Sequence, residues 1–139
     1  MRDLRPLLDK LLPDLVDFRR DLHQHPECSY REERTAARVL ERLKEIPDIE
    51  LRTGVASTGI VATLVGDKAG PCVALRADMD ALPIEEQSSV PHRSQVAGTM
   101  HACGHDGHTT CLLGAAQMLA ARVDELQGPV KFIFQPAEE

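Results

Sequence analysis

The densest concentration of chemically capable side chains is Met100-His101-Ala102-Cys103-Gly104-His105-Asp106-Gly107-His108. Three of the six histidines fall inside it, together with a cysteine and an aspartate. Thiolate, imidazole and carboxylate are the ligands of zinc and similar divalent ions. Cys103 and His105 are two positions apart, and in an extended segment such side chains point to the same side, where both reach one ion. Gly104 and Gly107 permit the tight backbone path this needs. On composition alone, a polar loop with incidental histidines is an equal alternative.

Three further constellations accompany it. Arg76-Ala77-Asp78-Met79-Asp80-Ala81-Leu82-Pro83 follows an apolar run. Carboxylates just past the carboxyl end of a sheet strand lie where α/β proteins place their ligands. Taken alone, these aspartates read more simply as turn or helix caps. Gln135-Pro136-Ala137-Glu138-Glu139 also follows an apolar run. Neighbours in an extended chain point to opposite sides, so one glutamate can bind metal while the other carries a proton. Its default reading in isolation is a solvated acidic terminus. Arg19-Arg20-Asp21-Leu22-His23-Gln24-His25-Pro26-Glu27 could offer His23 and His25 to a second metal. The preferred reading is structural, a helix end fixed by Pro26.

The elements that must position these groups follow from periodicity. Leu4, Leu8, Leu11, Leu15, Phe18 and Leu22 repeat at spacings of four and three, which predicts an amphipathic core helix. Pro6 suits its first turn, and Pro13 implies a kink or a restart. Ser29-Tyr30-Arg31-Glu32 has the pattern of a capping box. The helix after it buries Ala36, Leu40 and Leu43 and stops before Pro47. Ile49–Val55 and Ile60–Val65 read as strands joined by a hairpin at Ala56-Ser57-Thr58-Gly59. Cys72–Ala77 reads as a buried strand and Glu85–Thr99 as loop. Leu112, Ala115, Ala116 and Leu119 mark another helix starting near His108. Val130–Phe134 is a short apolar strand. Helices alternating with strands argue for an α/β layered domain, here expected as a three-layer α/β/α sheet with helices on both faces.

Composition bounds the function. The chain has 139 residues, enough for one domain, with 42% hydrophobic and 27% charged residues. Sixteen Lys+Arg against 22 Asp+Glu give a net charge of -6, and there is one Tyr, three Phe and no Trp. That balance lacks the basic footprint and stacking aromatics of a nucleic-acid binder. No apolar run approaches the roughly 18 residues of a membrane span, so no membrane partner is expected. The charged amino terminus is unlike a signal peptide, and the expected compartment is cytoplasmic. The four cysteines read as reduced thiols, with Cys72 and Cys111 as small core residues and Cys28 in a turn. No interior linker or repeat divides the chain. Its end at Glu138-Glu139, straight after a strand, reads as that of an incomplete chain. Val130–Phe134 is then expected to present an exposed apolar edge and poor solubility.

Arg-Arg-Asp-Leu-His-Gln-His-Pro-Glu, Arg-Ala-Asp-Met-Asp-Ala-Leu-Pro, Met-His-Ala-Cys-Gly-His-Asp-Gly-His-Thr and Gln-Pro-Ala-Glu-Glu occur in this order across the whole chain. Together they resemble the M20-type metallo-amidohydrolases, in the branch with hippurate hydrolases, N-acyl-L-amino acid amidohydrolases and plant auxin-conjugate hydrolases. The resemblance implies a zinc-peptidase-like catalytic domain. It implies metal ligands at Cys103, His105 and Glu139, a general base at Glu138, and an aspartate at Asp80 that supports the ligands. Asp78, His101 and His108 lie beside matched positions and take no role. It further implies two divalent ions per complete site (Mn²⁺, Zn²⁺ or Co²⁺), a small N-acyl amino acid substrate, and homo-oligomeric full-length relatives. Residues 1–139 would be the N-terminal part of the catalytic domain. Two further metal-binding histidines, the dimerisation or lid domain and the rest of the catalytic domain would lie outside it, leaving this chain inactive alone. A rival nucleophilic role for Cys103 with His105 as base is disfavoured, because catalytic Cys and His usually come from separate elements. The non-enzyme alternatives are a structural zinc module and a non-catalytic interaction fragment.

Overall fold

In the computed structural model, which describes residues 3–139, the first apolar stripe forms α1 (Arg5–Gln24). Pro6 lies in its first turn, where the missing N–H leaves no bond unmade. The helix does not restart at Pro13 but runs through it. Pro13 and Asp9 are both exposed, so the carbonyl that loses its helical partner is open to solvent. Only the second half of the stripe is core: Leu15, Phe18 and Leu22 are buried, while Leu4 and Leu8 stay exposed. No helix among the described residues is long and apolar enough to cross a membrane.

The next helix, α2 (Glu33–Leu43), is not started by the expected capping box: Glu32 stands at the N-cap position itself, and its side chain makes no cap bond. Glu27 caps it from the preceding turn. One of its oxygens accepts the Arg34 N–H at 3.0 Å, and the other accepts the Thr35 N–H at 2.7 Å and hydroxyl at 2.8 Å. A carboxylate there also complements the helix dipole. Thr35, Val39 and Leu43 are buried, with Ala36 and Leu40 half-buried against the same core. Asp21 on α1 pairs with Arg34 at 2.7 Å and Arg38 at 3.1 Å, tying the two helices together.

The hairpin forms as expected, from β1 (Glu50–Val55) and β2 (Gly59–Leu64). Ala56 (φ 49°) and Ser57 (φ 82°) adopt the left-handed conformations that fit the twist of tight hairpins. There follow β3 (Val73–Asp78), α3 (His105–Ala120), a 3₁₀ turn at Val123–Glu125 and β4 (Val130–Gln135). The sheet order is β1-β2-β4-β3, with β4 antiparallel to β2 and parallel to β3. On one sheet face Ile60, Ala62 and Leu64 register with Phe134, Phe132 and Val130, and all six are buried. These residues and the inner sides of α1, α2 and α3 make one core. The α/β layering therefore holds. Its three α-helices pack together on one face, and no α-helix among the described residues covers the other.

Several expectations need correction. β4 is an inner strand with neighbours on both sides, so the free edges are β1 and β3. β3 is not a buried strand: only Ala77 is buried, and Val73 is 54% exposed. Cys72 and Cys111 are exposed rather than core residues, and all four cysteines are unpaired. The last helix starts at His105, not near His108. The strand and cysteine misreadings turned on strand order or helix facing, which apolar content does not encode, and the helix start on the left-handed Gly104 before it.

The irregular segment between β3 and α3 is held by a buried ionic network. The His23 ring lies between Asp106 (2.9 Å) and Glu86 (3.3 Å), and Arg19 reaches Asp106 at 3.2 Å. Glu86 also accepts the Ser88 hydroxyl and the Ser94 N–H, each at 2.5 Å. Burial pushes the Glu86 carboxyl up, but the bonds from Ser88, Ser94 and His23 outweigh it and hold it down at about 2. In the unfolded chain it titrates near 4.5. Its contribution to stability is therefore complete above about 4.5 and is lost as pH falls towards about 2. Urea unfolding across that range should show stability falling on acidification, with a shallower slope in Glu86→Gln. Equal slopes in the two proteins would show that Glu86 is not the group responsible.

Candidate metal centre

Parallel pairing of β3 with β4 sets Asp78 opposite Gln135, so both strands leave the sheet at the same rim. The Met79 N–H extends the pairing to the Gln135 carbonyl at 2.9 Å. Asp80, next in line, is buried. Reciprocal backbone bonds between Leu82 and Met100, each 3.0 Å, bring the histidine-rich segment back to this rim. Gly104 then turns the chain into α3 with φ 85°, and His105 is the first helical residue. Cys103 and His105 therefore do not share a face through extended geometry. A left-handed glycine and a helix start bring them together instead.

His105 is 2% exposed. Its Nδ1–H donates to the Asp80 carbonyl at 2.9 Å and to Asp80 Oδ1 at 3.1 Å. Both partners of Nδ1 are acceptors, which places a proton on Nδ1, so that in the neutral ring Nε2 carries the lone pair. The nearest Glu138 oxygen is 3.8 Å from Nε2. The other Asp80 oxygen accepts the Ser29 hydroxyl at 2.8 Å and the Glu139 N–H at 3.0 Å. Burial pushes the Asp80 carboxyl up, but the Glu139 N–H, the Ser29 hydroxyl and the Glu138 N–H outweigh it and keep it below the usual range.

Ligand atoms of Cys103, His105 and Glu139 all lie within 4.8 Å of one another. Zinc–ligand bonds of about 2.0–2.3 Å in tetrahedral geometry put donors on one ion roughly 3.3–3.8 Å apart, a separation that side-chain rotation of the exposed Cys103 and Glu139 can reach. Cys103 and Glu139 are exposed and His105 is buried, which gives an open site. The Cys103 thiol is pushed up by its hydrogen bond to Glu139, by burial, and by the negative charges of Glu139, Glu138 and Asp78. The same negative surroundings favour a cation in place of that proton. The donor set and its field therefore fit a divalent metal. The extended path is broken at Ala137 (φ 51°), and both Glu138 and Glu139 reach this rim.

A second trio, Asp78, His105 and His108, also lies within 4.8 Å. There Asp78 is already paired with Arg76 at 2.6 Å, and its other oxygen is 3.8 Å from His108. His101 is buried, and its burial pulls the imidazole down to about 4, so the ring is neutral at pH 7. His23 belongs to the ionic network, and His25 bonds the Asp21 carbonyl at 2.8 Å. Ser29, which bonds Asp80, was missed at the sequence level because Ser-x-x-Glu carries the helix-cap signature. Nothing in the linear pattern says that this serine faces a strand end instead.

Residues 74–139 match the sequence model of Peptidase family M20/M25/M40. The chain is 50% identical over 125 residues to an N-acetylcysteine deacetylase of Bacillus subtilis, covering 90% of this chain and 33% of that protein. It is 44% identical over 137 residues to an N-acyl-L-amino acid amidohydrolase of Geobacillus stearothermophilus, covering 99% and 37%. The chain thus spans about a third of the length of these curated relatives. Among solved structures it resembles the Bacillus subtilis YXEP protein, described as a dinuclear metal binding peptidase from the M20 family. The TM-score is 0.89 at 47% identity, covering 94% of this chain and 36% of that one.

A β-carbon at Gly104 would meet nothing within 4 Å, so only its left-handed backbone demands glycine. Gly104→Ala should therefore cost about 1–2 kcal/mol in urea unfolding. Gly104→Asn, whose side chain tolerates this conformation, should cost less. Equal losses in the two variants would point to crowding rather than backbone conformation.

Proposed function

We propose that this chain is part of a member of peptidase family M20/M25/M40 and carries part of the centre of a metal-dependent amidohydrolase acting on N-acyl amino acids. Cys103 as thiolate, His105 through Nε2 and Glu139 through its carboxylate hold a divalent ion. Glu138 is the general base, and Asp80 orients His105. The reading is carried by one observation: donors from two distant stretches of sequence, Cys103 and His105 in one and Glu139 in the other, lie within 4.8 Å of one another, with Glu138 3.8 Å from His105 Nε2. A thiolate, imidazole and carboxylate set suits Zn²⁺ or Co²⁺, with Mn²⁺ favoured by more oxygen ligands. Four unpaired cysteines suit a cytoplasmic setting. Residues 1–139 then form the N-terminal part of the catalytic domain, with further ligands and a dimerisation domain supplied by chain outside it.

When bound, the divalent ion supplies Lewis-acid polarisation of the amide carbonyl and eases the deprotonation of water. The chain's own groups do the rest. Asp80 holds the His105 ring in the tautomer that presents Nε2. Glu138, whose side chain is 40% exposed, can accept a proton from the attacking water and deliver it to the leaving amine. A carboxylic acid and an amino acid are the products.

Titrating the 139-residue chain with Co²⁺ should produce a thiolate-to-cobalt absorption band. Cys103→Ser should abolish that band, and Glu139→Ala should weaken binding about tenfold or more. Glu138→Ala should leave binding intact, and in the longer protein it should abolish hydrolysis of N-acetyl and N-benzoyl amino acids. Cobalt binding that ignores Cys103, or hydrolysis that survives Glu138→Ala, would overturn the reading.

A further inference from the structure

Glu32 is fully buried, and no cation pairs with it among the described residues. A carboxylate in that position is costly unless several donors satisfy it. Three do. One oxygen accepts the N–H groups of Tyr30 at 3.0 Å and Ala137 at 2.9 Å, and the other accepts the Thr58 hydroxyl at 2.8 Å. Helix capping does not account for the residue, because Glu27 serves α2. The distinctive bond is the one to Ala137, which is 105 positions away in sequence.

Ala137 has φ 51°, a conformation that a non-glycine residue adopts only against a steric penalty. It lies immediately before Glu138 and Glu139. Without that turn the chain would continue extended, sending the two side chains to opposite sides of the strand. The turn is held from both flanks by buried carboxylates: Glu32 accepts the Ala137 N–H, and Asp80 accepts the Glu139 N–H at 3.0 Å. The Thr58 hydroxyl fixes the remaining Glu32 oxygen and so the orientation of the carboxylate plane.

We infer that Glu32 is a positioning residue. By bonding the left-handed Ala137, it aims Glu138 and Glu139 at the rim that carries Cys103 and His105. The inference rests on the metal-site reading above and extends it to a residue remote from the ligands in sequence and bound to none of them.

The test is a double-mutant cycle on Co²⁺ affinity in the 139-residue chain. Glu32→Ala should raise the dissociation constant about tenfold, the scale typical of groups that orient metal ligands. In a Glu139→Ala background, the same substitution should have no further effect on affinity, even where it still lowers the melting temperature. Glu32→Gln should restore binding to near wild type, since its amide oxygen can accept both N–H groups and its NH₂ can donate to Thr58. Wild-type affinity in Glu32→Ala, or equal effects of that change in both backgrounds, would overturn the inference while leaving the metal reading intact. Absence of Cys103-dependent binding in the wild type would overturn the metal reading and this inference with it. A second measurement needs no variant: the Ala137 amide should exchange with solvent at least about a hundredfold more slowly than an unprotected amide. Unprotected exchange there would overturn the inference whether or not Glu32→Ala folds.

Discussion

The carboxylate of Asp80 joins segments that are far apart in sequence. One oxygen, with the Asp80 carbonyl, takes the Nδ1–H of His105 at the start of α3. The other takes the Ser29 hydroxyl from the turn before α2 and the Glu139 N–H beyond β4. Four pieces of chain thus meet on one buried charge. That charge is tolerable because its lone pairs are filled by donors, and those donors keep it ionised against the effect of burial. Fixing Nδ1 as a donor frees Nε2, and it is the Nε2 side of the ring that faces Glu138. Orientation, tautomer and proximity of the acidic turn all follow from one group.

Asp80 can play this part only because the β3–α3–β4 connection is a parallel crossover. Parallel strands end at the same rim, and the helix between them must start there too. The rim therefore collects the end of β3, the amino end of α3 and the residues after β4. It also collects negative charge, from Asp78, Asp80, Glu138 and Glu139. Such a group repels itself unless a proton or a cation sits among its members. Arg76 offsets the Asp78 charge, and the remaining field raises the Cys103 thiol, which thereby adds no further negative charge. Glu32 and Asp80 then fix the last turn by backbone bonds rather than by side-chain packing.

Much of the fold was legible because periodicity reports burial. The helical stripe from Leu4 to Leu22, the hairpin through Ala56–Gly59 and the apolar Val130–Phe134 run all became the elements their spacing implied. What was misread depended on neighbours. Cys72 and Cys111 look like core residues by composition, yet β3 is an edge strand and the Cys111 side of α3 is exposed. Ser29 and Glu32 match a helix cap in sequence, but Glu27 reached the helix end first, and both residues turned towards the carboxyl ends of strands. At the rim, Cys103, His105, Glu138 and Glu139 were legible as residue types able to bind metal and move protons. The turn that presents the two glutamates was not, because a left-handed alanine has no sequence mark.

Legible in one dimension was the chemical inventory: a thiol, an imidazole and paired carboxylates, set in an acidic chain of alternating helical and strand periodicities. Side-chain chemistry and local periodicity are properties of residues and their near neighbours, so they survive in one dimension. The tertiary structure alone decided which of these groups share a rim, which ring nitrogen of His105 is free, and which glutamates hold the frame rather than face the site. Those outcomes depend on hydrogen bonds between residues dozens of positions apart, such as Glu32 to Ala137 and His105 to Asp80. Their formation turns on strand order and on the direction in which a buried carboxylate finds its donors.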